Sequence, residues 1–211
     1  MDLDKGHTRL IIDTCLKHGL LRNQAAYVLA TAWHETAHTM KPVREYGGEA
    51  YLRKKKYYPY VGMGFAQLTW LENYQKATKE LGVDFVGNPK KLLEPAYSAE
   101  ILVIGSRDGW FAGDKKGRHK LSRYITLAKS DYVNARRIIN GTDKASLIAG
   151  YAKEYDADLK RIGYGEKASP APVQPSPAPK PAEPVKRDPE PSTVWWRAFI
   201  AAIFARLRKG A

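Results

Sequence analysis

Residues 24–40, QAAYVLATAWHETAHTM, are apolar on nearly every helical face and contain neither Gly nor Pro. A helix without a solvated side has to sit inside a domain, with other elements packed around it. Asn23 stands where an N-cap is needed and Pro42 forbids continuation, so a central helix is predicted between them. Glu35 lies near its end, a carboxylate in a largely apolar setting that favours the protonated acid.

The surroundings of that helix read as helical too. In HTRLIIDTCLKHGL the residues Leu10, Ile11, Cys15 and Leu16 share one face, closed by Gly19. Further helices are predicted at 71–81, 95–106, 131–139 and 143–161, while 46–64, rich in Gly and Tyr, reads as loop or short hairpin. The fold class is therefore mainly α. A single cysteine, Cys15, excludes a disulfide framework and is expected as a buried thiol.

The composition changes abruptly near residue 166. Residues 168–192 hold nine of the thirteen prolines, which remove helix donors and fix φ, so an extended linker is predicted over 167–192. Beyond it, in 193–211, Trp196, Phe199, Ile200, Ile203 and Leu207 share one helical side, with Trp195 and Phe204 at its margins. Arg197, Arg208 and Lys209 lie away from that stripe and Arg206 near its edge. This is the pattern of a cationic amphipathic helix suited to an anionic membrane surface. The run is too short and too basic to span a bilayer in the ordinary way.

Residues 1–166, the expected globular domain, carry 27 basic and 19 acidic residues, a surplus of +8. Such a surface favours a polyanion such as anionic lipid or an acidic wall polymer. Nucleic acid is not expected, because neither its motif spacings nor a basic recognition helix occurs. The N-terminal MDLDKGHTRLII lacks a basic start followed by a long apolar run, so no secretory signal is read and synthesis in the cytoplasm is expected. Nothing demands more than a monomer.

Two kinds of chemistry fit the central helix. His34 and His38 flank Glu35 in His-Glu-x-x-His, and on a helix two histidines four apart share a face that grips zinc, with Glu35 as general base. No remaining histidine continues a metal motif, so no metal or other cofactor is expected. The alternative pairs Glu35 with Glu45 or Glu49 in KPVREYGGEAYL. Cleaving a glycosidic bond needs one protonated carboxyl for the leaving oxygen and one ionised carboxylate to activate water. Nearby, KKYYPYVGMGFAQLTWLENY supplies aromatic faces that stack on sugar rings and amides that bond hydroxyls.

Four blocks, AWHETAHTMKPVREYG, KYYPYVGMGFAQLTWLENY, NPKKLLEPAYSAEILVIGSRDGWFAG and ARRIINGTDKASLIAGYAKEYDADL, together resemble the glycoside hydrolase family 19 catalytic domain, in its phage endolysin branch, over about residues 22–163. The resemblance implies a lysozyme-like helical domain of two lobes with a central cleft. It assigns Glu35 as general acid, Glu45 as the first choice for general base with Glu49 as the second, and Thr69 as the hydroxyl that places the attacking water. Gln67, Asn73 and Asn140 match substrate-contacting positions, and His34, Tyr58 and Trp70 join them as substrate-binding candidates. Inversion at the anomeric carbon is implied, which requires the two carboxyls roughly 6.5–9.5 Å apart. The family pattern commonly has Gly-Arg-Gly where this chain has Gly62-Met63-Gly64, a departure that implies lowered activity, a shifted substrate, or compensation of the charge by Arg44 or Arg137.

The function expected is that of an endolysin hydrolysing peptidoglycan glycan strands as a muramidase, reaching the wall from the periplasm or from outside. Three alternatives stand beside it: a chitinase acting on N-acetylglucosamine polymers, a zinc metallopeptidase, and a non-catalytic membrane-active protein.

Overall fold

The computed structural model describes residues 1–111 and 117–166; the linker and amphipathic helix expected over 167–211 lie outside the described residues. The described chain runs α1 (Thr8–Lys17), α2 (Arg22–Glu35), β1 (Val43–Arg44), α3 (Glu49–Leu52), β2 (Met63–Gly64), α4 (Leu71–Leu81), a 3-10 turn (Pro89–Leu93), α5 (Pro95–Asp108), α6 (Leu121–Tyr124), α7 (Tyr132–Ala135), a 3-10 turn (Arg136–Ile138) and α8 (Ala145–Arg161). β1 and β2 pair antiparallel, Val43 opposite Gly64 and Arg44 opposite Met63. The domain is mainly α, as the hydrophobic periodicity requires.

α2 is the buried centre. Eight consecutive residues, Ala25 to Ala32, are buried, and the helix makes its most extensive contact with α8. Small side chains allow that approach: Ala25, Ala26 and Ala30 on α2 and Ala152 on α8 are all fully buried. The N-cap is Leu21, not Asn23. Asn23 lies one residue inside the helix, and its side-chain amide donates to Thr126 O (2.8 Å) and Ser130 Oγ (2.9 Å) instead. Gln24 takes over part of the capping by accepting the Leu21 N–H at 3.2 Å.

The helix also stops five residues before Met40. Thr36 Oγ1 donates to Ala32 O and accepts the Met40 N–H, so one hydroxyl closes the last turn and starts the loop. Ala37, His38 and Met40 then adopt left-handed backbone conformations. This loop lies against the N-terminus, where a Cβ on Gly6 would come within 2.5 Å of Thr39 O. In α1 the buried face runs through Ile11, Ile12 and Cys15, while Leu16 is 45% exposed and does not join it.

Two hydrophobic cores result. The first gathers α1, α2, α7 and α8, with Ala99, Leu102 and Val103 of α5. The second gathers Leu52, Val61, Met63, Leu68, Tyr74, Phe85 and Leu92, with Ile101 and Ile104 of the same α5. α5 is thus apolar toward both, and Phe111 packs against each. Two cores sharing one helix give the two-lobed, lysozyme-like arrangement.

The close α2–α8 packing sets a stability expectation. Ala152→Leu should cost about 1–3 kcal/mol through overpacking, read as a lowered denaturant midpoint with an unchanged slope.

Candidate active site

α2 ends at Glu35, and there it lines a cleft of ≈ 300 Å³. Gln67, Leu68, Thr69, Trp70 and Asn73 supply one wall, from the turn that leads into α4; Phe111, Ile139 and Asn140 also line it. Six residues singled out from the sequence therefore meet in one place: Glu35, Gln67, Thr69, Trp70, Asn73 and Asn140.

The setting of Glu35 is not apolar. Arg136, only 2% exposed, donates from Nη1 to Glu35 Oε1 at 2.7 Å and from Nε to Asp143 O at 2.9 Å. Glu35 itself keeps 19% exposure toward the cleft. The guanidinium donates to one of the two carboxyl oxygens, and the carboxyl group lines the cleft.

Glu45 is held by neutral donors. Tyr57 Oη donates to Oε1 at 2.7 Å and the Gly62 N–H donates to Oε2 at 3.0 Å. Burial and the Glu45 carboxylate push the Tyr57 hydroxyl up to about 12, so it stays a donor at neutral pH. Glu45 is not among the residues that line the cleft, but Gly62, which donates to it, lies close to two that are: a Cβ there would stand 2.9 Å from Gln67 Oε1 and 3.4 Å from Thr69 Oγ1. Tyr57 also meets Trp70 edge to face at 5.2 Å, which ties Glu45 to a half-exposed aromatic platform.

Glu49 stands differently. It is exposed and bound by Tyr58 Oη at 2.7 Å and Arg44 Nη2 at 2.9 Å, and the Tyr58 hydroxyl and then Arg44 hold its carboxyl below the usual range. The two differ in one donor: Glu49 is held on the surface by the cationic Arg44 as well as by a phenol, whereas Glu45 receives only neutral donors.

The turn between the cores is rigid. Gln67 Nε2 donates to Val43 O (2.7 Å) and Gly64 O (3.1 Å), spending both amide hydrogens on the β1–β2 pair and leaving only its oxygen for a ligand. Thr69 Oγ1 donates to Gln67 O and Asn73 Nδ2 to Thr69 O, both at 2.8 Å. Gln67 and Trp70 adopt positive φ, an arrangement these bonds maintain. Tyr58 and His34 are half-buried and outside the cleft lining. Burial is the main cause that lowers the His34 imidazole below its ordinary value, so it is neutral at pH 7.

The zinc geometry fails for a backbone reason. α2 ends at Glu35 and His38 has φ 66°, so the two histidines do not share a helical face. His38 stacks on Trp33 at 4.7 Å and meets Tyr151 at its edge. Among the described residues no group of three His, Cys, Asp or Glu is placed to hold a metal.

Met63 is 4% exposed and belongs to the second core. The missing charge is not supplied to Glu35 by either arginine expected from the sequence. Arg44 pairs with Glu49, and Arg137 lines a neighbouring hollow. Arg136 does the work, and it was legible only as a cation set among apolar neighbours in NARRII, a position that needs a buried anion. Tyr57 was one tyrosine among several, with nothing local to distinguish it.

No protein-family model matches the chain. It is similar to chitinase 11 of Oryza sativa subsp. japonica, with 33% identity over 130 residues, covering 51% of this chain and 48% of the relative. Chitinase 8 of the same organism is 34% identical over 119 residues, covering 50% and 42%. The chain thus spans about half the length, or less, of the curated relatives it matches.

The Arg136–Glu35 pair is directly testable. Arg136→Met should lower stability by about 2–3 kcal/mol, because an acid and a carbonyl lose their donor inside the fold. Arg136→Lys should restore part of the stability but not the two-point geometry. Thermal and denaturant unfolding of both variants, alone and with Glu35→Gln, would reveal the coupling as non-additivity.

Proposed function

We propose that the chain is a glycoside hydrolase that cleaves the glycan strands of bacterial peptidoglycan as an endolysin of the phage type. The observation that carries this reading is the cleft itself, with Glu35 braced by Arg136 beside a rigid Thr69–Trp70 turn. Partial similarity to two rice chitinases supports glycoside hydrolysis at the coarser level. The +8 surplus of residues 1–166 suits an acidic wall.

In this mechanism Glu35 protonates the leaving oxygen from Oε2, and Arg136 stabilises the carboxylate that remains. Glu45, with Tyr57 and Gly62 fixing its orientation, takes a proton from water positioned by Thr69. Water attacks the face opposite the leaving group, so the anomeric configuration inverts. Trp70 stacks on a sugar ring, while Asn73 and Asn140 bond its substituents. A second reading, favoured by the names of the relatives, is hydrolysis of chitin by the same carboxylates.

Mass spectrometry of fragments released from purified peptidoglycan tests the reading. Reducing N-acetylmuramic acid ends are expected from the wild type and none from Glu35→Gln. Glu45→Gln should be slower by about 10²–10⁴-fold. NMR should find the new reducing ends first in the configuration opposite to the strand linkage. Intact glycan with cut peptide stems would overturn the reading, and release from chitin alone would move the substrate to the second one.

The segment 193–211 is proposed to bind anionic membrane, on the sequence pattern of Trp196, Phe199, Ile200 and Ile203 against Arg197, Arg208 and Lys209. Deleting residues 168–211 should leave hydrolysis of purified wall intact and reduce killing of whole cells. Equal killing by the shortened chain would sink the membrane role.

A further inference from the structure

The cleft does not end at Asn140. Phe111, Ile139 and Asn140 also line a second hollow of ≈ 310 Å³, whose other residues include His119 and Arg137. His119 and Arg137 in turn line a third, of ≈ 460 Å³, together with Arg123, Lys129 and Asp131. Neighbouring hollows share wall residues, so the Glu35 cleft adjoins a chain of hollows with a cationic end.

The charges at that end are unevenly spent. Asp131 accepts from Asn134 N (3.1 Å) and Asn134 Nδ2 (3.0 Å) and pairs with Lys129 at 3.3 Å. Its negative charge is thereby committed within the α7 N-terminus and its neighbour. Arg137 and Arg123 are exposed, and neither has a carboxylate partner among the described residues. Arg123 lies 5.8 Å from the ring of its neighbour Tyr124, which holds the guanidinium at the surface without neutralising it. The paired arginines of the 3-10 turn divide the labour. Arg136 enters the core to hold Glu35, and Arg137 lines the groove beside it.

Two guanidinium forks on one polar groove match a carboxylate-bearing ligand, since each offers two parallel donors to two oxygens. We propose that this end of the groove is a subsite for the free carboxylates of the peptide stems carried by a peptidoglycan strand whose sugars lie at Glu35. The proposal rests on the glycan-cleaving reading and deepens it. A neutral N-acetylglucosamine polymer offers these arginines hydrogen-bond acceptors but no anionic group, so the subsite favours the acidic polymer over the neutral one.

The test measures binding of the full-length Glu35→Gln protein to soluble, uncross-linked glycan–peptide chains. These are used native and after carbodiimide conversion of the stem carboxylates to methylamides. Native chains should bind more tightly, with a preference that shrinks as salt rises. Arg123→Gln and Arg137→Gln, each added to Glu35→Gln, should weaken native-chain binding by roughly three- to fivefold, the scale of an exposed ion pair. The loss on methylamidated chains should be far smaller. Equal losses on both forms, no loss on either, or no binding of either would overturn the subsite. Both arginines are exposed, and matched thermal unfolding would verify that folding is intact. Hydrolysis by the wild-type protein is followed in parallel. Cleavage with charge-blind binding would remove the subsite alone, whereas charge-dependent binding without cleavage would support it and remove the hydrolase reading.

Discussion

A guanidinium withdrawn from water must find acceptors for its N–H groups and a counter-charge, or the fold around it fails. Arg136 finds Glu35 at the end of α2 and the carbonyl of Asp143 ahead of α8. The same two helices make the largest helix contact of the domain. The position of the acid is therefore settled by the packing of the first core, and it would shift only if α2 and α8 shifted. Desolvating an ion pair seldom adds net stability, so the pair is better understood as one that fixes the orientation of the Glu35 carboxyl at the cleft.

The two carboxylates are held by opposite means. Glu35 faces a cation and is mostly withdrawn from solvent; Glu45 receives one phenol and one backbone N–H. Different environments for two like groups are what acid–base division of labour requires. The turn between them is fixed by Gln67, whose amide bridges both short strands. Its positive φ and that of Trp70 would be unfavourable in a free loop, and they persist because β1, β2 and Gly62 enclose them.

Much of this was legible in the residues, wherever a regular period or a strong breaker spoke. The helix predicted at 71–81 is α4 to the residue, ended by Gly82 in a left-handed conformation, and Pro95 marks the start of α5. α7 and its 3-10 turn fill the helix predicted at 131–139, whereas α3 and α6 were not legible, because four residues carry little more than one turn of pattern. The end of α2 escaped because Thr36 terminates it through a hydroxyl that bonds backward, and HETAHTM contains no glycine to announce the left-handed residues. At the site, sequence order pointed to Glu35, Thr69 and the amides of Gln67, Asn73 and Asn140 as residues of one cleft. It could not supply Arg136 over Arg137, a choice made by which of two adjacent side chains turns inward in a 3-10 turn.

α5 sends Ala99, Leu102 and Val103 into one core and Ile101 and Ile104 into the other. Melting either lobe would leave an apolar flank of this helix in water, so neither lobe gains by coming apart first. Phe65 strengthens the link by donating its N–H to Ser98 Oγ of α5 at 2.7 Å. Among the described residues, the two lobes are joined along one shared helix. The cleft at Glu35 thus opens on a frame that both cores help to hold.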